Sequence, residues 1–308
     1  MTELLKAELF GFMLGDGWIT TKYNCGFSGD PESLQIAKDD LIELYGDIGK
    51  ATIVTKHTVS EKYGIEGTTS SFVCNIKIAK EFESLGMPIG KRVEQNFDIP
   101  NWILNGSNET KAAFLSGLYA AEGYTPCFQK NNKTLKTLGF NISKRQSVKH
   151  TLHIQLGQIL NDLGIKYTLK IEQVQTCDWN NKYRFDFSNS NENVLLITSL
   201  INPRYCIEKQ DLIRRINCYY TMKQNEISRL QQAYDYSLEH REISARQCAE
   251  QFNINRVKSR TGEEEKQVFS YLNLFQHSTN IVHYKPYLID LEAQRWATGG
   301  KFKYSLND

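Results

Sequence analysis

At 308 residues, with 40% apolar and 23% charged side chains, the chain is long enough for two or three hydrophobic cores. It has no apolar run of the roughly 18 residues that a membrane span needs, and Glu3 and Glu8 interrupt any basic-then-apolar export pattern, so a cytoplasmic or organellar-matrix setting with no membrane partner is expected. A net charge of +2 does not announce a polyanionic partner, and seven scattered cysteines without a Cys-x-x-Cys pair exclude a disulfide framework and a zinc knuckle.

From the N-terminus, the first predicted element is a helix ending in Glu8-Leu-Phe-Gly-Phe-Met-Leu-Gly-Asp-Gly17, apolar on nearly every side. A helix of that composition belongs in an interior. Polar, aromatic and β-branched residues then predict a short hairpin over about 18–28, and a helix follows over Pro31–Leu44, with Pro31 at a favoured first-turn position. A strand pair near 51–59 and 70–78 completes the series. The same series then begins again: Phe114-Leu-Ser-Gly-Leu-Tyr-Ala-Ala-Glu-Gly123 repeats the apolar run and the closing small-acid-Gly triplet, placing Asp16 and Glu122 106 positions apart. A hairpin over about 124–143, a helix over about Gln146–Leu163 stopping at Gly164, and strands near 166–174 and 182–188 follow. Each half therefore reads as αββαββα, with repeat 1 over 1–105 and repeat 2 over 106–222.

The small residues Gly11, Gly15, Ser116, Gly117, Ala120 and Ala121 predict that the two motif helices pack directly on each other at the junction of the halves. Each acid then stands at a helix C-terminus, where partial negative charge disfavours a carboxylate by about 0.3–1 kcal/mol. Two such tips side by side compound the repulsion, and a divalent cation relieves it, since carboxylate and backbone carbonyl oxygens are its preferred ligands. One Asp-Gly on its own is an ordinary turn dipeptide; the duplication is what points to chemistry. Gly17 and Gly123 are expected to close the helices in the left-handed conformation.

These two motifs resemble the paired LAGLIDADG signature of homing endonucleases, the second copy more closely. Leu85-Gly-Met-Pro-Ile-Gly-Lys91 and Ile99-Pro-Asn-Trp102 also resemble segments of the single-chain, two-motif subgroup, so that the likeness runs over about residues 3–202. The resemblance implies an α+β fold of two pseudo-twofold-related halves with antiparallel saddle-shaped sheets, working as a monomer on double-stranded DNA. It implies an endonuclease that cuts at a long site by metal-assisted in-line attack of water. Two or three divalent ions, Mg2+ with Ca2+ or Mn2+ as substitutes, would be held by Asp16, Glu122 and the carbonyls of Gly15 and Ala121. Lys144, in Ser143-Lys144-Arg145, falls where related enzymes keep an active-site lysine. The corresponding first-half stretch, Ser28-Gly29-Asp30, has no cation; Lys22 or Lys91 could reach that site, a surface role being the favoured reading for either, and if neither reaches it one strand is expected to be cut more slowly than the other or the enzyme to act as a nickase.

Base readout is expected from Thr20, Lys22 and Asn24 in the first half and from Gln129, Lys130, Asn132, Lys136 and Arg145 in the second. Residues 128–175 carry eight Lys or Arg against two acids, a stripe that fits a phosphate backbone and equally a solvated sheet face. From 223 to 308 helical periodicity predicts a mainly helical C-terminal domain, and residues 243–257 have the cadence of a helix-turn-helix that would bring Arg256, Lys258 and Arg260 to DNA. A structural helical appendage is the alternative, since twelve Lys or Arg there face eleven acids.

Three rival functions fit parts of this pattern. An RNA-splicing maturase shares the architecture, and a DNA-binding regulator without cleavage pairs it with a helix-turn-helix, but intact Asp16 and Glu122 favour a nuclease over both. A protein-splicing element needs a terminal Cys or Ser nucleophile and a closing His-Asn. The chain closes on Ser-Leu-Asn-Asp, so a free-standing or intron-encoded protein is expected.

Overall fold

The computed structural model describes residues 2–60, 65–127, 135–146, 151–174 and 180–240, with 242–243, 247–248 and 251–252 beyond them. The chain is an α+β protein with antiparallel sheets, and it divides into two compact units, 1–214 and 215–308. The division falls inside a helix, ahead of the boundary at 222/223 that composition suggests, because one continuous α8 (Ile207–Glu239) carries the chain through both positions.

In the first unit α1 (Thr2–Asp16), β1 (Gly17–Ile19), β2 (Cys25–Gly29), α2 (Pro31–Tyr45), β3 (Val54–Ser60), β4 (Ile65–Cys74) and α3 (Ile76–Ser84) follow the expected αββαββα order. Asp30 starts α2 by accepting from the Ser33 amide at 2.9 Å, with Pro31 in the first turn where its missing N–H costs nothing. The sheet order is β1-β2-β4-β3, and Phe27 and Phe72, directly paired across β2 and β4, stack at 5.5 Å over Phe12 of α1 and Phe82 of α3. That aromatic cluster fixes the sheet against the first motif helix.

A connector holding a single 3-10 turn (Arg92–Glu94) and α4 (Asn101–Leu104) leads to α5 (Asn108–Glu122), β5 (Gly139–Arg145), α6 (Leu152–Asp162), β6 (Tyr167–Val174), β7 (Asn180–Phe187) and α7 (Asn191–Leu200). Trp102 docks the connector, edge-on to Phe10 and donating to Leu85 O at 3.0 Å. Of the expected hairpin over 124–143 the described residues show β5, the Gly123–Phe140 bridge, and backbone hydrogen bonds from Tyr124 N to Gly139 O and from Lys136 N to Cys127 O, both 2.8 Å, while 128–134 lie outside the described residues. Pro126 has no N–H to give a ladder at that point. The helix expected from Gln146 begins at Leu152, residues 147–150 lying outside the described residues, and it stops as expected at Gly164, whose φ is +72°. Phe140, Phe185 and Phe187 form the core beneath the β5-β7-β6 sheet.

The second unit is described in part. Along α8 the buried Ala233 carbonyl accepts from the Cys248 thiol, and Tyr236 packs on His240 and Phe252. The helix-turn-helix residues Arg256, Lys258 and Arg260 lie outside the described residues, as do Gln129, Lys130 and Asn132.

Candidate active site

Among the described residues α1 and α5 pack more extensively than any other pair of helices, and their small residues explain why. A Cβ on Gly11 would lie 2.8 Å from Leu118 N and collide with Phe114 O; one on Gly117 would lie 2.8 Å from Phe12 N and collide with Glu8 O. Phe114 and Leu118 are the repeat equivalents of Glu8 and Phe12, so each glycine touches the counterparts of what the other touches. The close approach is therefore reciprocal between the two helices. At the far end Gly15 meets Ala121, and a Cβ on Gly15 would stand 3.1 Å from Glu122 Cγ. The two tips are therefore adjacent, as the small residues predict.

Gly17 and Gly123 act differently from expectation. Neither has a positive φ; Gly123 is extended, at φ −66° and ψ 146°. Glycine is required because a side chain would collide with the last turn of its own helix: at Gly17 with Met13, and at Gly123 with the carbonyl and ring of Tyr119. The chain thus leaves each tip straight into β-structure.

Burial raises the pKa of both Asp16 and Glu122, and for Glu122 the Asp16 charge adds to it. Asp16 keeps an exposed surface while enough protein surrounds it to withhold solvation, as at the mouth of a cleft. Two cations oppose both shifts, and neither is among the expected residues. Arg92 donates to the carbonyls of Met13, Gly15 and Gly17 at the end of α1, the Gly15 bond being 3.4 Å. Lys209, on α8, donates to those of Tyr119, Ala120 and Ala121 at 3.4, 2.8 and 3.2 Å. Each motif helix ends on its own basic side chain, which meets the orphan carbonyls and the partial negative charge together. Burial lowers Arg92 to about 10 against the pull of Glu122 and Asp16, and burial lowers Lys209 as well.

The donor set suits a hard divalent cation. Among the described residues no group of three or more His, Cys, Asp or Glu forms a cage. Asp16, Glu122 and the carbonyls of Gly15 and Ala121 are oxygen donors of the kind that magnesium would supplement with substrate phosphate and water. Both carbonyls face cations here, Gly15 O with Arg92 and Ala121 O with Lys209.

No family model matches the chain. Among curated relatives, it is 29% identical to the tRNA-splicing ligase RtcB of Methanocaldococcus jannaschii over 224 residues, which make up 66% of this chain and 22% of that protein. It is 26% identical to the DNA-directed RNA polymerase subunit Rpo1N of that organism, over 55% of this chain and 13% of the subunit, and 27% identical to its replication factor C small subunit, over 71% and 12%. The chain therefore spans about a fifth or less of the length of these relatives. Among solved structures, the homing endonuclease I-DmoI in complex with DNA and Ca aligns at 15% identity and a TM-score of 0.41, covering 67% of this chain and 93% of that one. The homing endonuclease I-WcaI bound to its DNA recognition sequence aligns at 15% and 0.39, covering 66% and 82%. Further I-DmoI complexes contain Mn or Mg.

The remaining expected residues are spread out. Lys144 is buried on the inner face of β5, not presented to a groove: its ammonium donates to Arg92 O at 2.6 Å and Gln95 O at 3.3 Å and lies 3.8 Å above the Phe97 ring. Burial and the nearby Arg92 charge lower its pKa to about 8. It holds the backbone that carries Arg92. Lys91 is exposed and pairs with Glu94, which also binds Arg145 at 2.8 Å. Thr20 and Asn24 close the β1–β2 turn on each other, with Lys22 and Lys136 exposed. The basic stripe is not one free face, since Lys144 points inward and Lys170 pairs with Asp186 at 2.9 Å. Alternation instead places Lys182 and Arg184 of β7 on the outer face beside Lys170, Ser143 and Arg145, and Lys182 lies near enough to lower the pKa of Glu122. Strand pairing brings these cations together, which a window along the sequence does not do. No helix among the described residues is long and apolar enough to cross a membrane.

Proposed function

We propose that the chain is a metal-dependent endonuclease of the LAGLIDADG homing type, cutting double-stranded DNA at a long site with Asp16 and Glu122 as its metal-holding carboxylates. One observation carries this reading: two helix C-termini abut through reciprocal glycines, and each delivers a carboxylate beside a buried cation. A tip pair of that kind is electrostatically costly as mere architecture. A polyanion with divalent ions uses it.

On this reading α1 and α5 lie about a pseudo-twofold axis, and the outer faces of the two sheets form a saddle over the duplex. The cations of β5–β7 meet phosphates and the strand side chains meet base edges. Asp16, Glu122, Gly15 O and Ala121 O would hold Mg2+ at the tips. When bound, such ions polarise a phosphoryl oxygen and promote ionisation of water. Arg92 and Lys209 stand where charge develops on the scissile phosphates, each placed by its own helix end. Lys144 is a positioning residue for Arg92. Arginine on one side and lysine on the other support unequal handling of the two strands.

The relatives' names describe a ligase, a polymerase subunit and a replication factor subunit, and the shares of this chain that match the first and the third must overlap. The three names have no activity in common. We infer that the matched stretch is a module carried within them and independent of their named activities.

The test is incubation of the protein with a plasmid library spanning the uninterrupted host locus, with magnesium or with chelator. Discrete linear or nicked product that needs magnesium and disappears in Asp16→Asn and Glu122→Gln is the expected result. Tight binding without any cut under both conditions would instead make the protein a regulator.

A further inference from the structure

Farther back along the motif helices, about 12 Å along α1 from Asp16 at 1.5 Å per residue, a second cluster of charges has no part in the proposed chemistry. Arg204, in the strap after α7, pairs with Glu8 of α1 at 3.3 Å and with Asp40 of α2 at 3.0 Å, while Tyr205 donates to Asp40 at 2.8 Å. Two carboxylates thus share one guanidinium. Glu8 is 7% exposed, and only its Oε2 receives Arg204; Oε1 is buried with no hydrogen-bond partner in the protein.

Glu8, Asp40 and Arg204 line an open cleft of about 600 Å³ between the first turns of α1 and α5. Glu43 and Glu109 stand on its rim, and Leu4, Leu5 and Leu200 supply apolar wall. Arg204 is the one cation of the lining, and its guanidinium already serves Glu8 and Asp40. An anion would meet four carboxylates there and no unused cation, so the cleft selects positive charge.

We propose that this cleft binds a small aliphatic ammonium ion, whose N–H groups donate to Glu8 Oε1 and whose carbon chain lies along Leu4, Leu5 and Leu200. The ion supplies the second positive charge that Glu8 and Asp40 lack and gives the orphan oxygen its donor. Glu8 must be ionised to receive it. Burial, with Asp40 adding to it and Arg204 opposing, raises the Glu8 pKa to about 7, so association at pH 6 displaces a proton into solution. Asp40, Arg204 and Tyr205 face this carboxyl, with Glu43 and Glu109 at the rim.

Calorimetric titration of the full chain with putrescine, without DNA or magnesium, tests the proposal in two buffers of different ionisation enthalpy. Saturable one-to-one binding is expected, about tenfold weaker at pH 6 than at pH 8, with close to one proton released per amine at pH 6 and about 0.1 at pH 8. Glu8→Gln should weaken binding at pH 8 at least tenfold. Ala113→Phe, which fills the cleft and leaves Glu8 in place, should do the same, while a thermal melt of each variant shows whether it is folded. Tetramethylammonium, which has no N–H, should bind at least tenfold more weakly than putrescine. The proposal is overturned by absence of saturable binding, by equal affinity in folded Glu8→Gln or Ala113→Phe, or by tetramethylammonium competing equally. Each result stands whether or not the protein cuts DNA.

Discussion

Gly11→Ala sets two opposing effects of known size against each other. In a helix interior alanine is favoured over glycine by about 0.8–1.0 kcal/mol, so an isolated α1 gains. In the protein the new Cβ would stand 2.8 Å from Leu118 N and nearer still to Phe114 O, which as backbone has no rotamer to escape into. The helices must part by at least about half an ångström, an overpacking cost at the upper end of about 1–3 kcal/mol. The net loss is about 2 kcal/mol, or roughly 4–8 °C in Tm for a unit of about 200 residues. Gly117→Ala should cost the same by reciprocity. Because either change opens the same gap, the double variant should lose less than the two losses combined, a coupling of about 1 kcal/mol. Gly67→Ala, with nothing within 4 Å of the added carbon, is the control and should stay within about 0.5 kcal/mol. Calorimetric melts of the four variants decide the matter. A rise in Tm for Gly11→Ala, or strict additivity in the double variant, would refute the close reciprocal packing on which the site depends.

Asp16→Asn and Glu122→Gln should each abolish cleavage and also the rise in Tm that magnesium gives the wild type. Their folded pKa values are raised, so the stability they contribute is present below the unfolded value and declines as pH rises through the folded one; melts at alkaline pH without metal should therefore show each variant more stable than wild type. Arg92→Met and Lys209→Met should lower the cleavage rate by about 100-fold while leaving DNA affinity nearly unchanged, as single-turnover rates set against gel-shift affinities would show. Lys144 is a buried base with its pKa lowered to about 8, so stability should rise by about 3 kcal/mol between pH 8 and 10.5 as the unfolded chain loses its extra proton; Lys144→Met should flatten that rise in denaturant titrations. Glu8 has the opposite sign: its contribution falls by about 3 kcal/mol between pH 4.5 and 7, and Glu8→Gln should remove that fall.

The elements were legible where periodicity and punctuation agreed. Asp30-Pro31 announces α2 because a capping side chain and a proline both belong to a helix start, and the small residues of the motif helices announce their contact because only backbone approach needs so many. The tip carboxylates could be found from the repeat. Their cations could not. Lys209 lies on the helix after α7, outside the repeated αββαββα series, and Arg92 follows a lysine that looks equally suitable; the local sequence does not say that one side chain folds back on α1 while Lys91 turns to Glu94. Lys144 stood out by position, yet its direction follows from strand alternation with Phe140 and Ile142, which turns it inward. Composition likewise gave no hint that Glu8, the first residue of the motif, would be buried against a strap nearly two hundred residues later.

Two places along the motif helices pose one electrostatic problem and meet it in two ways. At the C-terminal tips, carboxylates add to the negative ends of the helix dipoles, and each tip has a cation of its own, so the pair can be assembled before any metal arrives. On the proposed function, a site assembled in advance would not have to draw the helices together when ions and phosphate bind, so less of the binding energy would go into ordering. Farther back Glu8 and Asp40 share Arg204, and the shortage is met by keeping Glu8 partly protonated near neutral pH. Because Glu8 and Asp16 lie on the same rigid helix, and that helix packs on α5 through contacts that admit no slack, a charge change at one place can reach the other only by shifting the helices as bodies. If Glu8→Gln alters cleavage, it should therefore do so together with Gly11→Ala along one axis of helix separation, and a Glu8 effect that persists unchanged in the Gly11→Ala background would show that the two places act independently.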